Sequence, residues 1–308
     1  MNTLRIIFMG TPEFAVPSLE ILIENKFNVV AVITAPDKPQ GRGQKLTASP
    51  VKDCALKYSI PVLQPTNLKS EEFLSELKGH QANLQVVVAF RMLPEAVWAM
   101  PAIGTFNLHA SLLPQYRGAA PINWAIINGE KETGVTTFFL KHEIDTGSII
   151  YQEKEAINDT DDAGSLYARL MHKGAALVLK TVKAIEQENY PTQPQSEIAP
   201  IKHAPKIFKE TCEVNWNQPA DAVRSFVRGL SPYPAAWTTL NGKVFKLFLS
   251  QSTVDGRQST INPGEIETDN KTFLRIKTQD GWLSVLELQP EGKKRMKIEE
   301  FFRGNRIN

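Results

Sequence analysis

The sequence predicts a doubly wound parallel α/β sheet followed by a small antiparallel β-barrel. Three features carry that expectation. Nearly continuous apolar runs alternate with helical patterns up to residue 189, a proline-rich stretch interrupts at 190–207, and short strands separated by Asn-Gly, Asp-Gly and Pro-Gly turns fill the rest. Strands covered by crossover helices on both faces read as unbroken apolar runs, which is the Rossmann-like case. Short, closely spaced strands with such turns are the OB-like barrel case.

The elements follow in order. LRIIFMG (4–10) is an apolar run ending in glycine, and the next helix starts near Pro12 with Phe14, Val16, Leu19, Leu22 and Ile23 on one face. FNVVAVIT (27–34) is a second buried strand; 53–58 reads as helix, PVLQP (61–65) as a short strand and 70–77 as helix. LQVVVAF (84–90) is the central strand, and Pro94 opens another helix, the place where a missing N–H costs nothing. GTFNLHAS is the next strand, 133–140 and 148–157 add further strand character, and a long helix over 163–188 closes the domain. Four prolines without periodicity make 190–207 a linker. The second domain, 208–308, opens with the helix in WNQPADAVRSFVRGLSPYP, and the strands AAWTTL, KVFKLFLS, PGEIETD, TFLRIKT and WLSVLELQP follow.

Composition sets bounds. A chain of 308 residues has room for two domains, and 42% apolar with 22% charged residues is ordinary globular usage. No apolar run suits a bilayer span and the N-terminal stretch lacks the form of a signal peptide, so a cytoplasmic protein is expected. Cys54 and Cys212 lie far apart without metal-ligand spacing and read as reduced and structural. The net charge of +2 hides an asymmetry: residues 1–189 hold 18 Lys+Arg against 20 Asp+Glu, and residues 190–308 hold 17 against 13. The basic second half fits a polyanionic partner or a merely solvated surface.

The chemistry concentrates in the first domain. The loop MGTPEF has one glycine where a dinucleotide fingerprint needs three, which argues against a nicotinamide enzyme. In open sheets of this type ligands bind beyond the carboxyl ends of the strands. Asn107 and His109, two apart in a strand, share a face, and Asp145 in KHEIDTGS is a carboxylate within reach of His109. An amide that donates to an oxyanion, an imidazole and a carboxylate suit acyl transfer. Ser111 lies in no nucleophile elbow, so direct transfer to an incoming nucleophile is favoured over a covalent intermediate. Each residue also has a plain role: a turn asparagine, a structural histidine, a loop-capping aspartate.

NLHASLLPQYRGAAPINWAIINGEKETGVT followed by IDTGSII resembles the folate-dependent formyltransferases. MGTPEFAVPSLE, TAPDKPQGRGQKLTASPVK, WNQPADAVRSFVRGLSPYPAAWT and LQPEGKKRMKIEEFFRG extend the resemblance over essentially the whole chain, toward members that act on tRNA. It implies that Asn107, His109 and Asp145 are the catalytic trio. It implies that Ser111, Leu112, Leu113 and Pro114, with Phe90 and Arg91, line the folate side. The formyl donor is then 10-formyltetrahydrofolate, the acceptor is the α-amine of initiator methionyl-tRNA, and neither metal nor nicotinamide is required. Lys38, Arg42 and Lys45, interleaved with Gly41 and Gly43, are expected on the tRNA acceptor end, Arg42 matching the family's functional arginine. Lys293, Lys294 and Arg295, with Lys243, Lys246, Arg275 and Lys277, are expected along the tRNA backbone. A monomer is expected.

Two departures stand out. Glu143-Ile144 replaces a small Gly-Leu pair before Asp-Thr-Gly, and Phe90-Arg91 replaces Tyr-Gly after the central strand. Glu143 would raise the Asp145 carboxyl if both pointed inward. Two other readings compete: transfer to a sugar-nucleotide amine or a glycinamide, for which the GRGQKL loop and basic barrel have less use, and a non-catalytic nucleic-acid-binding protein.

Overall fold

A computed structural model of the chain describes residues 4–40, 44–143, 145–195, 200–255 and 260–307. Its elements run β1 (Arg5–Gly10), α1 (Val16–Glu24), β2 (Asn28–Ile33), β3 (Lys38–Gln40), β4 (Lys45–Thr47), α2 (Pro50–Lys57), β5 (Val62–Leu63), α3 (Glu71–Gly79), β6 (Leu84–Val88), α4 (Glu95–Trp98), β7 (Gly104–His109), β8 (Arg117–Gly118), α5 (Pro121–Ile127), β9 (Glu132–Phe139), β10 (Ile149–Ala156) and α6 (Ala163–Glu186). After β11 (His203–Ala204) come α7 (Ala220–Leu230), β12 (Ala236–Leu240), β13 (Lys243–Val254), β14 (Ile266–Thr268), β15 (Leu274–Lys277), β16 (Gly281–Pro290), β17 (Met296–Lys297) and α8 (Ile298–Phe302).

The chain divides into two compact units: Met1–Arg117 with Gly134–Glu155 and Tyr167–His203, and Gly118–Thr133 with Ala156–Leu166 and Ala204–Asn308. The large sheet has the order β10-β9-β7-β6-β1-β2-β5. β5, β2, β1, β6 and β7 are all parallel, so the order reverses between β1 and β6, the switch point of a doubly wound sheet. β9 pairs β7 antiparallel, which makes the sheet mixed, and the alternating burial of β10 marks it as an edge strand. One face of the first unit's sheet (Ile7, Met9, Ala31, Ile33, Val87) packs against Phe73, Leu77 and Val97 from α3 and α4.

Two helices start where local chemistry dictates. The helix expected from residue 53 begins at Pro50, because the Ser49 hydroxyl accepts from the Lys52 amide (3.1 Å) and proline fits the first helical position. Ser70 caps α3 in the same way, accepting from Phe73 N at 3.4 Å. β10 is fastened to α6 by Glu155, which pairs with Arg169 (2.7 Å) and Lys173 (2.9 Å). Burial pushes the Glu155 carboxyl up, but the hydrogen bonds from both cations outweigh it and hold the group below its ordinary value.

In the second unit the order β12-β13-β16-β15-β14, with β17 on β16, forms an antiparallel half-barrel. Register breaks between Leu247 and Ser250 bend β13. Val223, Val227 and Leu230 of α7 and Ile298, Phe301 and Phe302 of α8 fill its core with Leu247, Leu283, Val285 and Leu288. α5, absent from the sequence reading, belongs here and lies against α7; Asn123 Nδ2 donates to Gly229 O (2.8 Å). Among the described residues no helix is long and apolar enough to cross a membrane.

Two predictions follow from this packing. A Cβ on Gly229 would lie 2.6 Å from Ile127 Cγ1 and 3.0 Å from Ile127 N. Gly229→Ala is therefore expected to lose about 1–3 kcal/mol in urea unfolding, despite alanine's better helix propensity. A carboxyl held low in the folded state adds stability above its unfolded value, and that stability fades as the pH falls. The difference in unfolding free energy between wild type and Glu155→Gln should thus be largest near neutrality, begin to shrink as the pH falls through the ordinary carboxylate range of about 4, and vanish only once Glu155 is protonated in the folded state as well.

Candidate active site

The site is built at the end of β7. This strand lies between β6 and β9, with Asn107 opposite Val87 and Phe138 and His109 opposite Thr136. The strand period of two puts Asn107 and His109 on one face. Asn107 is half-buried and His109 is only 7% exposed. The His109 Nε2 lies 2.8 Å from the Tyr116 carbonyl oxygen. A carbonyl can only accept, so Nε2 carries a proton and Nδ1 is the nitrogen left for chemistry. Tyr116 takes a left-handed backbone (φ 61°), and its amide donates to Lys202 O at 2.6 Å.

The SLLP turn that follows is fixed by one hydroxyl. Thr136 Oγ1 donates to Ser111 O (2.6 Å) and accepts from Leu113 N (3.2 Å) and Gln152 Nε2 (3.0 Å). One donor and two acceptors are the whole capacity of a hydroxyl. Gln152 Nε2 also donates to Leu113 O (2.9 Å), and buried Ser111 turns its Oγ onto Gln115 O (2.6 Å). Leu112 packs over Gly134, where a Cβ would lie 2.5 Å from its Cδ2. Leu113 is buried and Pro114 half-buried.

Asp145 sits in the loop from β9 to β10. The loop leaves β9 beside Phe106, and Phe139 N donates to Ser148 O (3.0 Å) at its base. Only glycine fits at 147, since a Cβ would lie 1.5 Å from Phe139 O. Asp145 is half-buried in a left-handed conformation (φ 55°), and its carbonyl accepts from Gln195 Nε2 at 2.7 Å. Glu143 is exposed, so the inward-facing carboxylate pair is not formed; Ile144 lies outside the described residues. His142 pairs with Glu95 (3.2 Å) and meets Trp98 edge-on.

Phe90 and Arg91 follow β6 at the switch point. Phe90 is half-buried against the core beneath it. Arg91 donates to the Pro65 carbonyl and to Thr66 O (3.1 Å), with its guanidinium 5.7 Å from the Phe90 ring centre. Its charge is spent on backbone carbonyls.

The expected tRNA-facing cations divide sharply. Lys38 is exposed on β3 and Lys45 opens β4, its hairpin partner; Arg42 lies outside the described residues. The base of the hairpin is pinned by Lys52 Nζ to Asp37 (2.7 Å) and Gln64 Oε1 (2.8 Å), and by Gln64 Nε2 to Asp37 (2.8 Å). Hydrogen bonds from Lys52 and Gln64 hold the Asp37 carboxyl below its ordinary value. Lys293 and Lys294 are exposed, whereas Arg295 pairs with Glu287 (2.5 Å) and stacks 4.5 Å from the Phe248 ring centre. Three further barrel cations are engaged within the protein. Lys277 is 3% exposed beside Trp282, Arg275 is paired with Glu267 (2.7 Å) and stacked on the same ring, and Lys246 turns toward Pro234 O (3.3 Å). Cross-strand packing buries Lys277 and matches Arg275 with a glutamate.

Sequence reasoning missed Thr136, Gln152 and Gln195. Each acts through side-chain to backbone bonds between distant segments, and such bonds leave no local pattern.

The formyl transferase family model matches residues 4–182, and the family's C-terminal domain model matches 206–306. The chain is 56% identical to the methionyl-tRNA formyltransferase of Bacteroides fragilis over 98% of this chain and 95% of the relative. It is 51% identical to that of Flavobacterium johnsoniae over 99% and 97%. Among solved structures, WlaRD, a sugar 3N-formyl transferase, superimposes with a TM-score of 0.68 at 22% identity, covering 96% of this chain and 100% of that one. HypX from Aquifex aeolicus in complex with tetrahydrofolic acid gives 0.63 at 19%, covering 99% and 48%. At these identities the structures speak for the fold.

The saturated hydroxyl yields a prediction. Thr136→Val keeps the shape but strands the Leu113 amide and the Ser111 carbonyl, and should cost about 1–3 kcal/mol in urea unfolding. Thr136→Ser, which retains the hydroxyl, should recover most of that loss.

Proposed function

The chain belongs to the formyl transferase family, and on that premise we propose that it moves the formyl group of 10-formyltetrahydrofolate to the α-amine of methionine on initiator tRNA. The observation that carries this reading is that the likeness to the tRNA enzymes runs through 98% of the chain, both domain matches included. A sugar or glycinamide acceptor leaves the pinned β3–β4 hairpin and the exposed Lys293-Lys294 pair without a purpose. The product feeds translation initiation, which places the enzyme in the cytoplasm, acting as a monomer.

The roles follow from the chemistry. The neutral α-amine attacks the formyl carbon, and negative charge grows on the formyl oxygen. The Asn107 amide donates to that oxygen. His109, its Nε2–H committed to Tyr116 O, offers Nδ1 as the second donor when protonated. Asp145 supports that imidazolium and takes the amine's proton, directly or through a water. The folate nitrogen leaves as the carbonyl re-forms and regains a proton. Ser111, Leu112, Leu113 and Pro114 form one wall of the folate side, and Phe90 with the tethered Arg91 the other. Holding both substrates in one cleft removes much of the entropic barrier. Lys38, Arg42 and Lys45 engage the acceptor end; Lys293 and Lys294 meet phosphates, and Arg295 contributes only if it leaves Glu287.

Purified protein, 10-formyltetrahydrofolate and methionine-charged initiator tRNA test this directly. Formylmethionyl-tRNA is the expected product, and its absence with a folded protein overturns the reading. Asn107→Ala should lower kcat about 10²- to 10³-fold, the usual effect of losing one oxyanion donor, and His109→Ala about 10²- to 10⁴-fold. Replacing Arg42 with Leu should raise KM for charged tRNA while leaving donor binding near wild type.

A further inference from the structure

We infer that Gln195 is a positioning residue for the Asp145 loop, with Arg117 fixing the orientation of its amide. The inference rests on the reading of Asp145 as part of the reaction. All the groups involved lie in the first unit.

Gln195 stands between three segments. Its Nε2 donates to Asp145 O (2.7 Å) and Gly147 O (3.0 Å). Its Oε1 accepts from Arg117 Nε (3.1 Å) and Nη2 (2.7 Å). These partners leave the amide one orientation: guanidinium nitrogens can only donate and carbonyls can only accept. A flipped amide would set its NH₂ against the guanidinium and its oxygen against two carbonyls.

The delivery of Gln195 is equally specific. Ile149 N donates to Gln193 O (2.7 Å) and Gln193 N to Ile149 O (2.9 Å), so residue 193 forms an isolated antiparallel bridge to the start of β10. The Tyr190 ring packs on Phe139, 5.8 Å between centres. Two residues past the bridge, the Gln195 side chain reaches the loop.

The loop needs such a tie. It leaves β9 beside Phe106, and His109 lies three residues farther along β7, about 10 Å at the strand rise. Gln195 links its backbone to Arg117, which follows the SLLP turn beyond His109. Asp145, in a left-handed conformation disfavoured for a side-chain-bearing residue, is held there by a bond to its own carbonyl.

The test uses the full-length enzyme in the tRNA formylation assay, with Gln195→Glu, Gln195→Met and, as the reference, Asp145→Asn. Gln195→Glu keeps the acceptor for Arg117 but loses both donated bonds and sets a carboxylate oxygen against the Asp145 and Gly147 carbonyls, so its thermal midpoint should fall modestly while the protein stays folded. Its kcat should nevertheless fall about 10- to 100-fold, as expected for a misplaced catalytic group, with KM for both substrates near wild type. Gln195→Met should lose kcat similarly and serves if the glutamate variant does not fold. Wild-type kcat in both Gln195 variants beside an inactive Asp145→Asn overturns the inference alone. So does a rise in KM for tRNA with kcat unchanged, which would make Gln195 a binding residue. Wild-type kcat in Asp145→Asn overturns the catalytic reading of Asp145 and the positioning role with it.

Discussion

The site depends on a single hydroxyl set in the right register. β9 pairs β7 so that Thr136 faces His109, and this places Thr136 Oγ1 beneath the turn that follows β7. With one proton given to Ser111 O and both lone pairs taken, the hydroxyl binds the start, the middle and a neighbouring strand's glutamine into one unit. The turn can then carry Tyr116 to a fixed place, and the Tyr116 carbonyl in turn fixes the tautomer of His109. A one-residue slip of β9 would carry Thr136 to the opposite face of the sheet and leave the turn unsupported. The antiparallel strand, which breaks the otherwise parallel sheet, is what supplies this support.

Much of this was legible in the sequence. The buried strands β1, β2, β6 and β7 read as apolar runs because burial on both faces leaves no alternation to confuse them, and the shared face of Asn107 and His109 follows from the strand period alone. The start of α2 was misplaced because its signal is a Ser-Pro pair, not an apolar face. The helices α5 and α8 were missed because seven and five residues are too few for a period to stand out. Thr136, Gln152 and Gln195 were invisible for a different reason. Their partners, backbone carbonyls and amides together with one another's or Arg117's side chain, belong to segments brought near only by folding.

Charge was the least legible property. The sequence counts cations, but a phosphate meets only those with a free, solvated head. Lys277 is lost to packing beside Trp282, Arg228 is 8% exposed and spends Nη1 on the carbonyls of Asn158 and Asp161 (3.0 Å each), and Arg275 and Arg295 are matched by cross-strand glutamates. The net excess of the second half is unchanged by this pairing, but fewer of its cations present a solvated head. By contrast Lys52, given no role of its own in the sequence reading, serves the β3–β4 hairpin from within: its ammonium pairs with Asp37 and fixes the hairpin's base.

The segment read as a linker has a further consequence for the site. Its described residues 190–195 and 200–203 are hydrogen-bonded into the first unit: Gln193 to Ile149, Gln195 to Arg117 and the Asp145 loop, Lys202 to Gln115 and Tyr116. A proline-rich chain satisfies few of its own backbone groups, so it settles where other segments offer partners. Here those partners are the two loops that carry His109's tether and Asp145. The connecting chain thus forms part of the wall of the site. Its sequence is constrained at Gln195, whose side chain makes these bonds, whereas Gln193 and Lys202 take part through backbone atoms and constrain the path of the chain.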